Sequence, residues 1–216
     1  MRRDAFVDAA MRLIQTKGYE QLSIADVLAA TDSSKGAFYH YFDSKESLLS
    51  AVIDRISDAA LADVGPVAFD PGLSAIEQFG RLLTSIARWK NARKELMLAI
   101  LEVWLSDDNA VVRERLRVQV ASIMGPLFAR IAAKGQAEGT FQIEDPVETA
   151  DVIVALIVGA QEAAGRLFVD CQRGRATIAD ARRVFRAYEQ ALERILGAPA
   201  GSLRLVDDAT LTLWFG

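Results

Sequence analysis

Apolar residues in this chain recur three and four positions apart almost throughout, the spacing of one-sided helices rather than of half-buried strands. Ala5, Phe6, Ala9, Ala10, Leu13 and Ile14 form the first such stripe and predict a helix over 4–17, which Lys17-Gly18 ends. Ser23 precedes the run from Ile24 to Thr31, where its hydroxyl can accept from the free amide of Asp26. Asp26 in that first turn also suits the helix dipole. Asp32-Ser33-Ser34 breaks the pattern, and a second short helix is expected over 35–41. Asp43-Ser44-Lys45-Glu46-Ser47 is another start signal. From there Leu48, Leu49, Val52, Ile53, Ile56, Ala60 and Val64 run down one face of a long helix over 44–64.

Gly65-Pro66 and Asp70-Pro71-Gly72 bracket a loop, the best candidate domain boundary. Further helices are expected over 73–91, 94–106, 109–137, 147–170 and 177–197. Their punctuation is Ser106-Asp107-Asp108-Asn109, Glu138-Gly139-Thr140, Asp145-Pro146 and Gly197-Ala198-Pro199. The tail alone hints at a period of two, Leu211, Leu213 and Phe215 alternating with Thr212 and Trp214; an extended segment and an extra helical turn both fit. The expected fold is all-α with about nine helices. A three-helix domain over 1–50, joined by the helix 44–64, precedes a larger helical bundle over 66–216.

Composition narrows the chemistry. Hydrophobic residues make up 51% and charged residues 25% of 216, which excludes disordered and fibrous classes. One Cys (Cys171) and one His (His40) exclude an internal disulfide and a Cys or His metal cluster, so no metal or cofactor is expected. The densest apolar run, Val152 to Ala160, is nine residues against ~20 for a bilayer span, and the N-terminus lacks a signal-peptide core. The expectation is a soluble cytoplasmic protein without a membrane partner. The net charge is −4, and residues 1–65 hold seven Lys or Arg against ten Asp or Glu. Any nucleic-acid argument therefore rests on local placement rather than on bulk charge.

That placement occurs between Ser23 and Glu46. Two short helices flank a tight turn behind an amphipathic helix, which is helix-turn-helix spacing: the first helix buttresses and the second can enter a major groove. Ser34 can cap the second helix and donate to phosphate, and Lys35 brings a charge to the groove. Gly36 and Ala37 are small enough for close backbone approach, and Tyr39 and His40 offer hydrogen-bonding rings. Lys45 starts the next helix, where free amides favour phosphate. Phe38, Tyr41 and Phe42 read as too apolar to be mainly DNA contacts, and Phe38 and Phe42, four apart, should pack inward. Arg2-Arg3 reads as a disordered end rather than a phosphate-seeking arm.

Here the chain resembles the TetR family of transcriptional regulators. The residues that carry the likeness are Ser23, Val27 to Thr31, Ser34 to Phe42 and Ser44 to Leu49, within a stretch covering 4–50. The run KGAFYHYF followed by SKE and two leucines is its most specific part. The resemblance implies DNA contacts at Ser23, Ser34, Lys35, Gly36, Ala37, Tyr39, His40 and Lys45. Asp32 and Ser33 stand where the family usually has Gly and an aliphatic residue. Asp tolerates the left-handed conformation a Gly would serve there. Ser33 removes about 1–2 kcal/mol of packing.

In the second half, Ile178, Ala181, Phe185, Tyr188, Leu192 and Ile195 follow a heptad seam. The helix 147–170 is apolar nearly all round, with the small residues Gly159, Ala160, Ala163, Ala164 and Gly165. Together they point to a four-helix interface between two copies, using Val154, Ile157, Ala164, Phe185, Tyr188, Leu192 and Ile195. The resemblance likewise implies a homodimer, whose symmetry matches a palindromic double-stranded operator. Phe79, Trp89, Met97, Trp104, Met124 and Phe128 can line a cavity for an apolar molecule, though any helical core contains such residues. The resemblance implies a pocket for an unidentified small-molecule effector there, with Gln161 and Glu162 its nearest polar candidates. The expected function is a ligand-responsive repressor that releases its operator when a small, largely apolar effector binds.

Two other functional classes make different demands on the sequence. An enzyme would need a nucleophile–base set, a zinc motif or a phosphate loop, none of which the sequence carries. A helical interaction protein that has lost DNA binding would fit the acidic first 65 residues and the unusual Asp32-Ser33 turn. Salt-dependent binding to DNA separates it from a regulator.

Overall fold

The structure is a computed structural model and describes residues 2–68, 70–105 and 110–216. It contains ten α-helices among the described residues, and no strand. They are α1 (Arg2–Lys17), α2 (Ile24–Thr31), α3 (Lys35–Tyr39), α4 (Lys45–Ala68) and α5 (Ala75–Asn91). α6 (Lys94–Leu105), α7 (Ala110–Ala137), α8 (Pro146–Gln172), α9 (Ile178–Leu196) and α10 (Asp208–Phe215) follow. The all-α expectation holds, with one helix more than expected, because the tail forms α10. The break at Ser106 to Asn109 lies outside the described residues.

Three other boundaries moved. α1 begins at Arg2, and the Arg3 guanidinium sits 5.4 Å from the centre of the Phe42 ring, so these arginines belong to the helix rather than to a loose end. α3 ends at Tyr39, two residues early. α4 runs through Gly65-Pro66 to Ala68. Pro66 lies in the last turn, where its missing N–H forfeits a single intrahelical bond and the helix is about to end.

The chain divides into two compact units. Unit 1 comprises residues 1–59 and 93–119; unit 2 comprises 60–92 and 120–216. Unit 1 is built on an aromatic knot: the Phe6 ring meets Phe38 edge-on at 5.5 Å and Phe42 at 6.3 Å, all three buried. Val7, Ala10, Ile14, Val27, Leu48 and Val52 close around them. Burying each large side chain contributes about 1.5–3 kcal/mol. Ala99 of α6 and Leu116 of α7 join the same core, and Trp104 packs against it.

Unit 2 has its own core. The Phe79 ring of α5 meets the Phe128 ring of α7 at a tilt, centres 5.3 Å apart, and Ile131, Ile153, Leu192 and Leu196 are buried. α8 and α9 pack against each other along their length. Gly197 ends α9 in the left-handed conformation (φ 61°), where a side chain would run into Gln142. The Gln142 amide in turn donates to the Leu196 carbonyl at 2.8 Å. α10 docks through Asn91: its amide donates to Thr210 Oγ1 at 2.9 Å, and its carbonyl accepts from Trp214 Nε1 at 2.7 Å.

Two helical stretches, Leu116–Ala137 and all of α8, are long and apolar enough to cross a membrane by length and composition. The nine-residue run understated α8 because small and aliphatic residues extend its apolar character past isolated charges. Only about a third of α8's most apolar stretch is buried within the chain.

Candidate nucleic-acid interface

The site is built from helix ends. Ser23 opens α2 with a reciprocal pair: the Asp26 amide donates to Ser23 Oγ at 3.2 Å, and the Ser23 amide donates to Asp26 Oδ2 at 2.8 Å. Lys17 approaches the same carboxylate at 2.5 Å. The Lys17 hydrogen bond, followed by those of Ser23, holds the Asp26 carboxyl well below the usual carboxylate range. Asp32 closes α2 at φ 46°, ψ 50°, and the Ser33 amide donates to the Leu28 carbonyl at 3.1 Å. The turn that lacks the usual Gly therefore still adopts the left-handed cap.

Ser34 then opens α3, its Oγ accepting from the Ala37 amide at 3.3 Å. The five residues of α3 split cleanly. Phe38 is fully buried, while its neighbour Tyr39 is 55% exposed and Lys35 and Gly36 face solvent, as does His40 just past the helix end. Ala37 is half-buried. A Cβ added at Gly36 would meet nothing nearer than Ser34 Oγ at 4.0 Å. Unit 1 does not itself require a Gly there, and its smallness leaves room for whatever lies outside. Ser44 and Ser47 cap α4 reciprocally at 3.1 and 3.2 Å.

Ser34, Lys35, Gly36, Ala37, Tyr39 and His40 thus cluster on and beside one short exposed helix. Ser23 is engaged within the chain. Its hydroxyl and amide hydrogens both go to Asp26. Lys45 is half-buried; its Nζ lies 4.1 Å from the Tyr19 ring centre and donates to the Glu20 carbonyl at 3.3 Å. Burial, with Glu46 and Glu20 nearby, pushes the Tyr19 hydroxyl up to about 12, so it stays neutral. Tyr41, expected to be too apolar for a main DNA contact, is 40% exposed beside His40. The signal lay in the spacing: Phe38 and Phe42 occupy the buried face, and Tyr41 falls off it.

The expected pocket residues fall in both units. Phe79 and Phe128 meet in the core of unit 2, and Trp89 Nε1 donates to Asp63 at 3.1 Å. Met124 is half-buried in unit 2, and Gln161 is exposed. Met97 and Trp104 belong to unit 1, whose core captures Trp104. The expected pairing residues divide as well. Val154, Ile157 and Leu192 are buried within the single chain, Ala164, Phe185 and Tyr188 are half-buried, and Ile195 is exposed.

The family model described as bacterial regulatory proteins, tetR family, matches residues 6–52, and the one for tetracyclin repressor-like C-terminal domains matches 97–160. The repressor ComR of Escherichia coli is 45% identical over 56 residues, 26% of this chain; the chain spans 27% of that relative's length. The repressor KstR of Rhodococcus jostii is 30% identical over 153 residues, 70% of this chain and 67% of the relative. Among solved structures, Salmonella enterica GusR superposes with a TM-score of 0.61 at 19% identity, over 91% of this chain and 96% of that one. The likeness therefore extends from the α1–α3 head through most of the helical body, and the chain belongs to the TetR family of bacterial regulatory proteins.

Proposed function

We propose that this protein is a ligand-responsive transcriptional repressor that binds a palindromic operator as a homodimer and releases it when a small, largely apolar effector enters unit 2. The observation that carries the reading is α3. A fully buried Phe38 anchors it, while Lys35, Gly36, Tyr39 and His40 stand exposed. That is the arrangement of a helix laid into a major groove, with small residues at the closest approach. The relatives named as repressors support the direction of control.

Pairing is assigned to the outward faces of α8 and α9. Val152 is 48% exposed, Ile195 36%, and Ala155 is also exposed. Gly159 lies where a Cβ would meet Tyr188 Oη at 3.3 Å, which keeps the two helices close. A second copy covering this surface accounts for apolar helices left largely unburied, without a membrane. α4 and α7 each carry residues of both units, so a rearrangement of unit 2 has continuous helices through which to shift the α3 heads. Coupling of about 1–3 kcal/mol would change operator affinity by about 5–150-fold.

Selection from a random duplex library tests the reading. The expected product is an inverted repeat, bound by two chains per duplex by light scattering, with half-sites about one helical turn or a small multiple apart. Recovery of no sequence above background, or a one-chain complex, would overturn it.

A further inference from the structure

Unit 2 contains a groove that neither the α3 head nor the expected effector core uses. It lies between α9 and the segment leading into α10, has a volume of about 320 Å³, and falls in the size range of small-molecule sites, about 300–1,000 Å³. Phe185, Val206 and Leu211 give it an apolar lining, and Arg182, Arg186 and Arg204 supply cations from both sides. The Phe185 ring is steadied edge-on by Phe215 at 6.2 Å.

The groove has a built wall. Glu189 and Glu193, one turn apart on α9, accept from the amides of Leu205 and Leu203 at 2.9 and 3.1 Å. This pins the segment against α9: Leu203 is buried, while Arg204 and Val206 line the groove. Both acids in the lining are occupied. Asp208 pairs with Arg182 at 2.9 Å, and Glu189 holds the Leu205 amide while burial pushes its carboxyl up. Arg186 and Arg204 make no ion pair within 4.0 Å among the described residues and act on Glu189 only at longer range. Two available guanidinium groups therefore flank an apolar lining.

We propose that this groove binds an amphipathic organic anion, with a carboxylate, sulfonate or phosphate head on Arg186 and Arg204 and a flat apolar body against Phe185, Val206 and Leu211. The planar fork of Arg matches such oxyanions and stacks on flat rings, which Lys would not do. The proposal stands apart from DNA binding and can be measured without it.

The test is fluorescence titration of the full chain with anilinonaphthalene sulfonate, and with phenylnaphthylamine, which has the same rings and no charge. The Arg186→Gln/Arg204→Gln variant should bind the sulfonate about tenfold more weakly and bind the uncharged probe as the wild type does. Each single substitution should give about a threefold loss. Both positions are exposed, so an unchanged thermal midpoint is expected and is checked. Equal sulfonate affinity in wild type and double variant, equal losses for both probes, or no sulfonate binding to the wild type would overturn the proposal.

Discussion

Asp32 is the single non-glycine residue with positive φ among the described residues, and it forms the turn on which the α2–α3 geometry depends. Left-handed backbone costs an ordinary L-residue about 1–2 kcal/mol, and Asp less, because its short side chain bonds locally. Asp32→Ala should therefore lower the unfolding free energy by about 1 kcal/mol in a urea titration, and Asp32→Gly should not. An Ala variant as stable as the wild type would contradict that account. This requirement was legible in the sequence, since few residues tolerate the conformation. Ser23 was not legible in the same way: the residue type suits phosphate, but only coordinates show both its hydrogens directed to Asp26.

Helices with strong caps were legible to within a few residues. Ser74 with Glu77 opens α5, Asp145 before Pro146 opens α8, and Gly197 closes α9. α4 overran its expected end because a proline in a final turn costs one bond and does not force the chain out. α10 could not be read locally, since it is held by a residue more than a hundred positions away. Asn91 satisfies both Thr210 and Trp214, and Trp214 meets Phe168 at 6.1 Å. Asn91→Ala should loosen α10 by about 1–3 kcal/mol, which hydrogen exchange would read as about tenfold or faster exchange over 208–215. Unchanged protection there would show that α10 does not depend on Asn91.

At the scale of the whole molecule, the compact unit that holds the motif segment takes in residues far from it in sequence. Residues 93–119 joined unit 1 because Ala99, Leu116 and Trp104 complete the core begun by Phe6 and Phe38, a tertiary choice that periodicity does not encode. The dimer surface was legible as apolar helices, but not residue by residue. Heptad spacing cannot say which positions one chain buries for itself, as it does Leu192, and which it leaves out, as it does Ile195. The central claim remains that the outward face of α3 lies on duplex DNA. The most direct measurement is fluorescence anisotropy of the selected operator against the wild type and the Lys35→Ala/Tyr39→Ala variant, at two salt concentrations. The wild type should bind with an affinity that falls as salt rises. The variant should bind at least about tenfold more weakly with an unchanged melting temperature. Equal operator affinity in the two proteins would contradict the account.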